Sequence, residues 1–115
     1  MFDVTIQAIQ TSLDGLAARQ RMIATNLANA ETPGYLAQNV NFEDSLRSAM
    51  ASGDPSQTAI TTSSSSNPIG PNGNNVNVDR EARMLAENAM RFNVASVLLR
   101  GQINSVKEAI TGGGA

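Results

Sequence analysis

The chain of 115 residues contains no cysteine, so neither a disulfide nor a thiolate metal site braces it. It contains no histidine, which removes the commonest general base and the commonest metal ligand at neutral pH. Its aromatics are Phe2, Phe42, Phe92 and the single Tyr35, so stacking platforms for bases are essentially missing. The net charge of −2 is of mixed sign and leaves no basic stripe for nucleic acid. Long apolar runs are missing too: Ser and Gln interrupt each one, and Asp3 stands where a cleavable leader would be basic. The expectation is a chain with no catalytic residue, cofactor, metal or small-molecule substrate. It either stays in the cytosol or leaves by a route that reads no cleaved signal. The length supports one small domain over residues 1–115.

What is present is helical periodicity at both ends. Over residues 2–30, Ile6, Ile9, Leu13, Leu16, Ile23, Leu27 and Ala30 recur at steps of three or four, with Gln20 in the one missing position. That is a heptad seam with a polar interruption, and it predicts a long amphipathic helix. Ala17, Ala24 and Ala28 flank the seam and allow close approach of another helix, while Gly15 costs about 1 kcal/mol relative to Ala inside a helix. Pro33 lacks an amide hydrogen and turns Thr32 away from helical angles, so the helix ends near Glu31. Thr32-Pro33-Gly34-Tyr35 fits a type II turn, with Gly34 supplying positive φ.

A short helix is expected over 41–52, with Phe42, Leu46 and Met50 at four-residue steps, Asn41 as its cap, and Glu43 and Asp44 in its first turn. Residues 53–78 differ in kind. Ser63 to Ser66, three prolines and several Gly and Asn residues leave Ile60 and Ile69 as the large apolar groups of 53–75. So little apolar surface does not offset the entropy of ordering, and a flexible or extended segment follows. A tight turn at Asn72-Gly73, followed by a short extended piece through Val76 and Val78, is a further option.

The second long helix is expected over 79–111, capped by Asp79 and ended by Gly112-Gly113-Gly114. Its seam runs Leu85, Asn88, Phe92, Ala95, Leu99, Ile103, Val106 and Ile110, with a stutter around Leu99. Met84, Val94 and Leu98 widen the stripe, so this helix has more than one neighbour. The predicted fold is all-α: two long terminal helices paired as a coiled-coil-like hairpin, a short middle helix and an irregular segment. Burying a Leu or Ile contributes roughly 1.5–3 kcal/mol, whereas ordering each residue costs about 1–2 kcal/mol. With so few large side chains the balance for a lone chain lies near zero, and the chain calls for partners.

The run Ala24-Thr25-Asn26-Leu27-Ala28-Asn29-Ala30-Glu31-Thr32-Pro33-Gly34-Tyr35 resembles the N-terminal signature of the bacterial flagellar rod and hook proteins. Asn72-Gly73-Asn74-Asn75-Val76-Asn77-Val78-Asp79-Arg80-Glu81 and Ala86-Glu87-Asn88-Ala89-Met90-Arg91-Phe92 are similar to the proximal-rod branch of that family. Ala82-Arg83 and Phe92 depart from it, where many relatives have a Met after the Glu and a Tyr. The resemblance covers roughly residues 2–50 and 72–110. It implies a structural rod subunit that transmits motor torque and lines the export channel. It also implies passage through the flagellar export apparatus without a cleaved signal. The place implied is the rod of the basal body in the cell envelope, beside copies of itself, other rod subunits, an export-linked adaptor and the membrane ring.

Under the resemblance Asn26, Leu27, Ala28, Asn29, Thr32, Pro33, Gly34 and Tyr35 serve assembly or packing. The amides of Asn26 and Asn29 then bond either a neighbouring subunit or the following loop, or simply end a helix. Tyr35 caps the helical pair or seats between subunits. The arginines at 19, 21, 80, 83, 91 and 100 read as solvated faces or rim pairs. The rival readings are a small cytosolic helical adaptor or chaperone, which would be a stable dimer in dilute solution, and a peptidoglycan hydrolase. The latter needs two carboxylates converging across a cleft, whereas the neighbours Glu43 and Asp44 diverge on a helix.

Overall fold

The structure is a computed structural model that describes residues 3–112. Three helices and two strands follow one another: α1 (Val4–Ala28), β1 (Gln38–Asn41), α2 (Glu43–Ala51), a 3-10 turn (Pro55–Gln57), β2 (Thr61–Ser64) and α3 (Val78–Thr111). The chain is mostly helical and elongated, 69 Å in its longest dimension. The expected helix start at Phe2 and the Gly113-Gly114 terminator lie outside the described residues. Among the described residues Asp3 caps α1, its carboxylate accepting from the Ile6 amide at 2.8 Å, and Gly112 caps α3.

α1 and α3 run antiparallel. Asn26 meets Glu81 near one end, while Leu16 and Gln20 meet Asn88 further along. Leu16, Val40, Phe42 and Ala95 form the buried cluster, flanked by Ile9, Leu13, Ala18 and Met22. α1 also lies against β1, α2 and the 3-10 turn, and its Ile6, Ala8 and Ile23 are buried. α3 makes its extended packing with α1 alone. Gly15 is explained by this core. A Cβ there would stand 2.5–2.6 Å from three atoms of the Phe42 ring, so the helix gives up a side chain to seat an aromatic one.

Several expectations need correction. The fold is not strictly all-α, because β1 and β2 pair antiparallel, with Val40 opposite Thr62. Asn41 does not cap the middle helix. It ends β1 with its amide donating to Ser63 Oγ at 2.9 Å, and α2 starts at Glu43 behind an uncapped Phe42 whose ring is in the core. Asp79 is not the cap of the last helix. That role falls to Asn77, whose side chain accepts from the Arg80 amide at 3.0 Å. Beyond the turn at Gly73, Val78 opens α3 and forms no strand.

The segment 53–78 takes a definite path for a reason hydropathy does not register: its asparagine amides bond the backbone. Asn67 donates to the Asn75 carbonyl, and Asn75 accepts from the Ala37 amide at 2.7 Å while donating to Asn67 O. Each such bond contributes about 1 kcal/mol net and supplies what apolar burial cannot.

Candidate assembly interface

The end of α1, the turn after it and the start of α3 meet around one asparagine. Asn26 is 1% exposed. Its Nδ2 donates to Gln38 O at 2.9 Å and to Glu81 Oε1 at 3.2 Å, and its Oδ1 accepts from the Tyr35 hydroxyl at 2.8 Å and the Gln38 amide at 3.1 Å. One side chain thereby joins α1, the turn, β1 and α3. A leucine of similar volume would leave all four groups unpaired, and for that reason an apolar seam carries an amide here.

Thr32 to Tyr35 close a tight turn, the Tyr35 amide donating to Thr32 O at 3.2 Å with Gly34 at φ +76°. The asparagine loop docks on it. The Gly34 amide donates to Asn72 O at 2.9 Å, and Asn74 Nδ2 donates to Asn29 O and Thr32 O at 2.9 and 2.8 Å. Gly73, at φ +80°, lies so close that a Cβ on it would stand 3.2 Å from Gly34 Cα. Asn29 bonds locally, donating to Thr25 O and accepting from the Thr32 hydroxyl. Of the motif residues expected to serve assembly, Asn26, Asn29, Thr32, Gly34 and Tyr35 thus make hydrogen bonds within the chain.

Glu81 is the unexpected member. It is 1% exposed, and its Oε2 has no partner in the chain. Burial raises its carboxyl above the ordinary range, with the Asn26 amide and the nearby Arg80 pulling the other way. Burial, then the charge of Glu81, raises the Tyr35 phenol in turn. Arg19 is the second unexpected anchor. It forks onto Glu43 at 2.6 and 2.7 Å, donates to Val40 O at 2.8 Å and lies 4.8 Å above the Phe42 ring. Its hydrogen bond is the main reason the Glu43 carboxyl is held below the usual range. The density of asparagines between 72 and 77 was a signal for the loop, whereas Glu81 stood only at the end of the family-like run and Arg19 only among arginines expected at solvated faces or rim pairs.

The expected packing residues divide. Ile6, Leu16, Ile23 and Asn88 are buried, while Ile9, Leu13, Leu27, Leu85 and Leu99 are half-buried. Phe92, Ile103, Val106 and Ile110 are exposed, although they continue the same stripe. Asn88 donates to Leu16 O and Gln20 Oε1 at 2.9 and 3.0 Å, so the polar interruptions of the two seams pair with each other.

A second apolar set, Met90, Val94, Val97 and Leu98, faces outward. At ~100° per residue it lies roughly 140° around α3 from the Glu81, Asn88, Ala95 and Leu99 side that faces α1. Among the described residues no group of acidic side chains is arranged to hold a metal ion, and no helix is long and apolar enough to cross a membrane.

Comparison with known proteins agrees with the motif. No family model matches the chain. Individual proteins do. The chain is 32% identical over 127 residues to the flagellar basal body rod protein FlgB of Bacillus subtilis, covering 98% of each. It is 29% identical to the protein of that name from Salmonella typhimurium, covering 96% of each. To the one from Borreliella burgdorferi it is 26% identical, over 81% of this chain and 85% of the other. With matches that run nearly end to end, the chain belongs to the family of the flagellar basal body rod protein FlgB.

Proposed function

We propose that this chain is a structural, non-catalytic subunit of the flagellar basal-body rod that polymerises through the outer faces of its two long helices. The observation that carries this reading is the apolar stripe Met90, Val94, Val97 and Leu98, which stands exposed among the described residues. Covering it needs other molecules, and the relatives are named as rod proteins. The neighbours in this reading are copies of the chain, sibling rod subunits, and at the base an export-linked adaptor and the membrane ring. The chain reaches them through the export apparatus without a cleaved signal.

In this reading α1 and α3 form the tube wall as a coiled-coil-like pair that carries torque and surrounds the export channel. Arg19, Asn26 and the asparagine loop act from beneath, holding the pair in one register so that the outer faces present a fixed pattern. The adaptor or chaperone alternative finds no support among the relatives.

Leu99 stands on the side of α3 toward α1, so Val97→Asp tests the outer face more cleanly than Leu99→Asp. Cells carrying Val97→Asp should lose motility and rods, and mass spectrometry of wild-type basal bodies should find the chain. Normal rods built from the variant would refute the proposed surface. Absence of the chain from basal bodies would refute the rod assignment.

A further inference from the structure

The helical pair is uncharged all round at one level. Residues 4–13 of α1 and 92–99 of α3 contain no Asp, Glu, Lys or Arg, and Ile9 and Leu13 pack on the cluster that holds Ala95. A helix in water keeps a solvated charged face, whereas one surrounded by protein does not. At this level Val94, Val97 and Leu98 are 54%, 59% and 54% exposed.

α3 also outruns its partner. Glu81 meets Asn26 and Asn88 meets Gln20, so α1 recedes as α3 advances and its described start is reached near about residue 100. Residues 103–111 extend further, by roughly 13 Å at ~1.5 Å per residue. Along this overhang Ile103, Val106 and Ile110 continue the α1-facing stripe past the described start of α1 and are 38%, 40% and 76% exposed.

Each copy thus carries two uncovered apolar patches on different sides of one helix. We infer that the α3 overhang of one copy docks on the outer face of α3 in the next copy, Ile103, Val106 and Ile110 packing on Met90, Val94, Val97 and Leu98. The inference rests on the rod-subunit reading and names which surfaces of that subunit meet. Three observations favour a second copy as occupant. The overhang is continuous in register with the seam already buried within the chain. Both patches are apolar and belong to the same chain, so every copy supplies one of each. Gly101 borders the outer face with open space beside it, where another helix can approach closely. Because the patches differ, the contact is heterologous, and repetition extends an assembly without pairing two copies face to face.

The absence of native cysteine makes the test direct. Cells would co-express one chain with cysteine at position 90, 94 or 97 and another with cysteine at 103, 106 or 110. Basal bodies would then be purified and oxidised. A mixed disulfide in at least one pairing, with no self-pairing when either variant is alone, is the expected result. Self-pairing of Val94→Cys, cross-linking to a different rod subunit, or no mixed disulfide in any pairing would overturn the inference. Absence of the unmodified chain from basal bodies would overturn the rod reading instead.

If cysteine variants do not assemble, purified Val94→Asp and Ile110→Asp keep the question open to measurement. Each should remain monomeric on its own, and the equimolar mixture should give a dimer by sedimentation, since one intact contact survives. A monomeric mixture under conditions where the wild type associates would refute it.

Discussion

Replacing Gly15 with alanine sets two effects of opposite sign against each other. Helix propensity favours Gly15→Ala by about 1 kcal/mol, because alanine restricts the unfolded chain and suits a helix interior. The new methyl, however, would stand 2.5–2.6 Å from Phe42 ring carbons, where ordinary contact needs about 3.5–4.0 Å. The ring has little room to retreat. It is 4% exposed, belongs to the cluster with Leu16, Val40 and Ala95, and lies beneath the Arg19 guanidinium. Overpacking of this kind costs roughly 1–3 kcal/mol, so against the propensity gain the net change should be a loss of up to about 2 kcal/mol. Urea unfolding followed by circular dichroism measures it, with trimethylamine oxide added to hold the wild type on a folded baseline. Phe42→Leu in the Gly15→Ala background should recover part of the loss, with a coupling above about 0.5 kcal/mol. Should Gly15→Ala prove more stable than wild type by the propensity value, Phe42 does not pack on α1 as described.

Three other outcomes follow from the geometry. Because burial raises the Glu81 carboxyl, its stabilising contribution is complete below its unfolded pKa and is lost as pH rises through the folded value. Glu43 has the opposite slope, so the comparison is wild type against Glu81→Gln: the two should converge near about pH 4 and separate above it, the variant gaining. A constant difference across the titration would contradict a buried carboxyl at Glu81. Asn74→Ala removes two bonds that tie the loop to Asn29 and Thr32, and should cost about 2–3 kcal/mol and speed amide exchange at Gly34. Gly34→Ala meets nothing within 4 Å, so its cost is that of the left-handed backbone alone, about 1–2 kcal/mol in denaturation midpoint terms.

The two long helices and the turn between Thr32 and Tyr35 were legible because their signals are local: heptad spacing, a proline and a glycine at fixed offsets. The small sheet was not. β1 offers one large apolar residue, Val40, and β2 is Thr-Thr-Ser-Ser, so neither shows the alternation that marks a strand. Besides Val40 in the core, β1 is held against α1 by side chains from distant positions, Asn26 on the Gln38 backbone and Arg19 on the Val40 carbonyl. The loop before α3 was underrated for a related reason. Composition weighs apolar surface and misses amides that bond backbone, as Asn74 and Asn75 do.

Helical periodicity likewise shows which residues share a face and leaves the cover of that face undetermined. Phe92, Leu99 and Ile110 are one stripe in sequence, yet in space Leu99 is half-buried beside α1 while Ile110 stands beyond it. Glu81 stands in the first turn of α3, and its burial against Asn26 is set by tertiary packing that helical spacing does not register.

The claim underlying all of this is that the outer face of α3 is exposed in the single chain and covered in the rod. Thiol labelling of Val97→Cys tests it, since no other cysteine is present. Val97 is 59% exposed, so the purified chain should react at the rate of an unhindered thiol. In basal bodies containing the variant, the same thiol should be protected until the rod is dissociated. Equal labelling in both states would show that this face remains in water, and the account of how the chain assembles would be wrong.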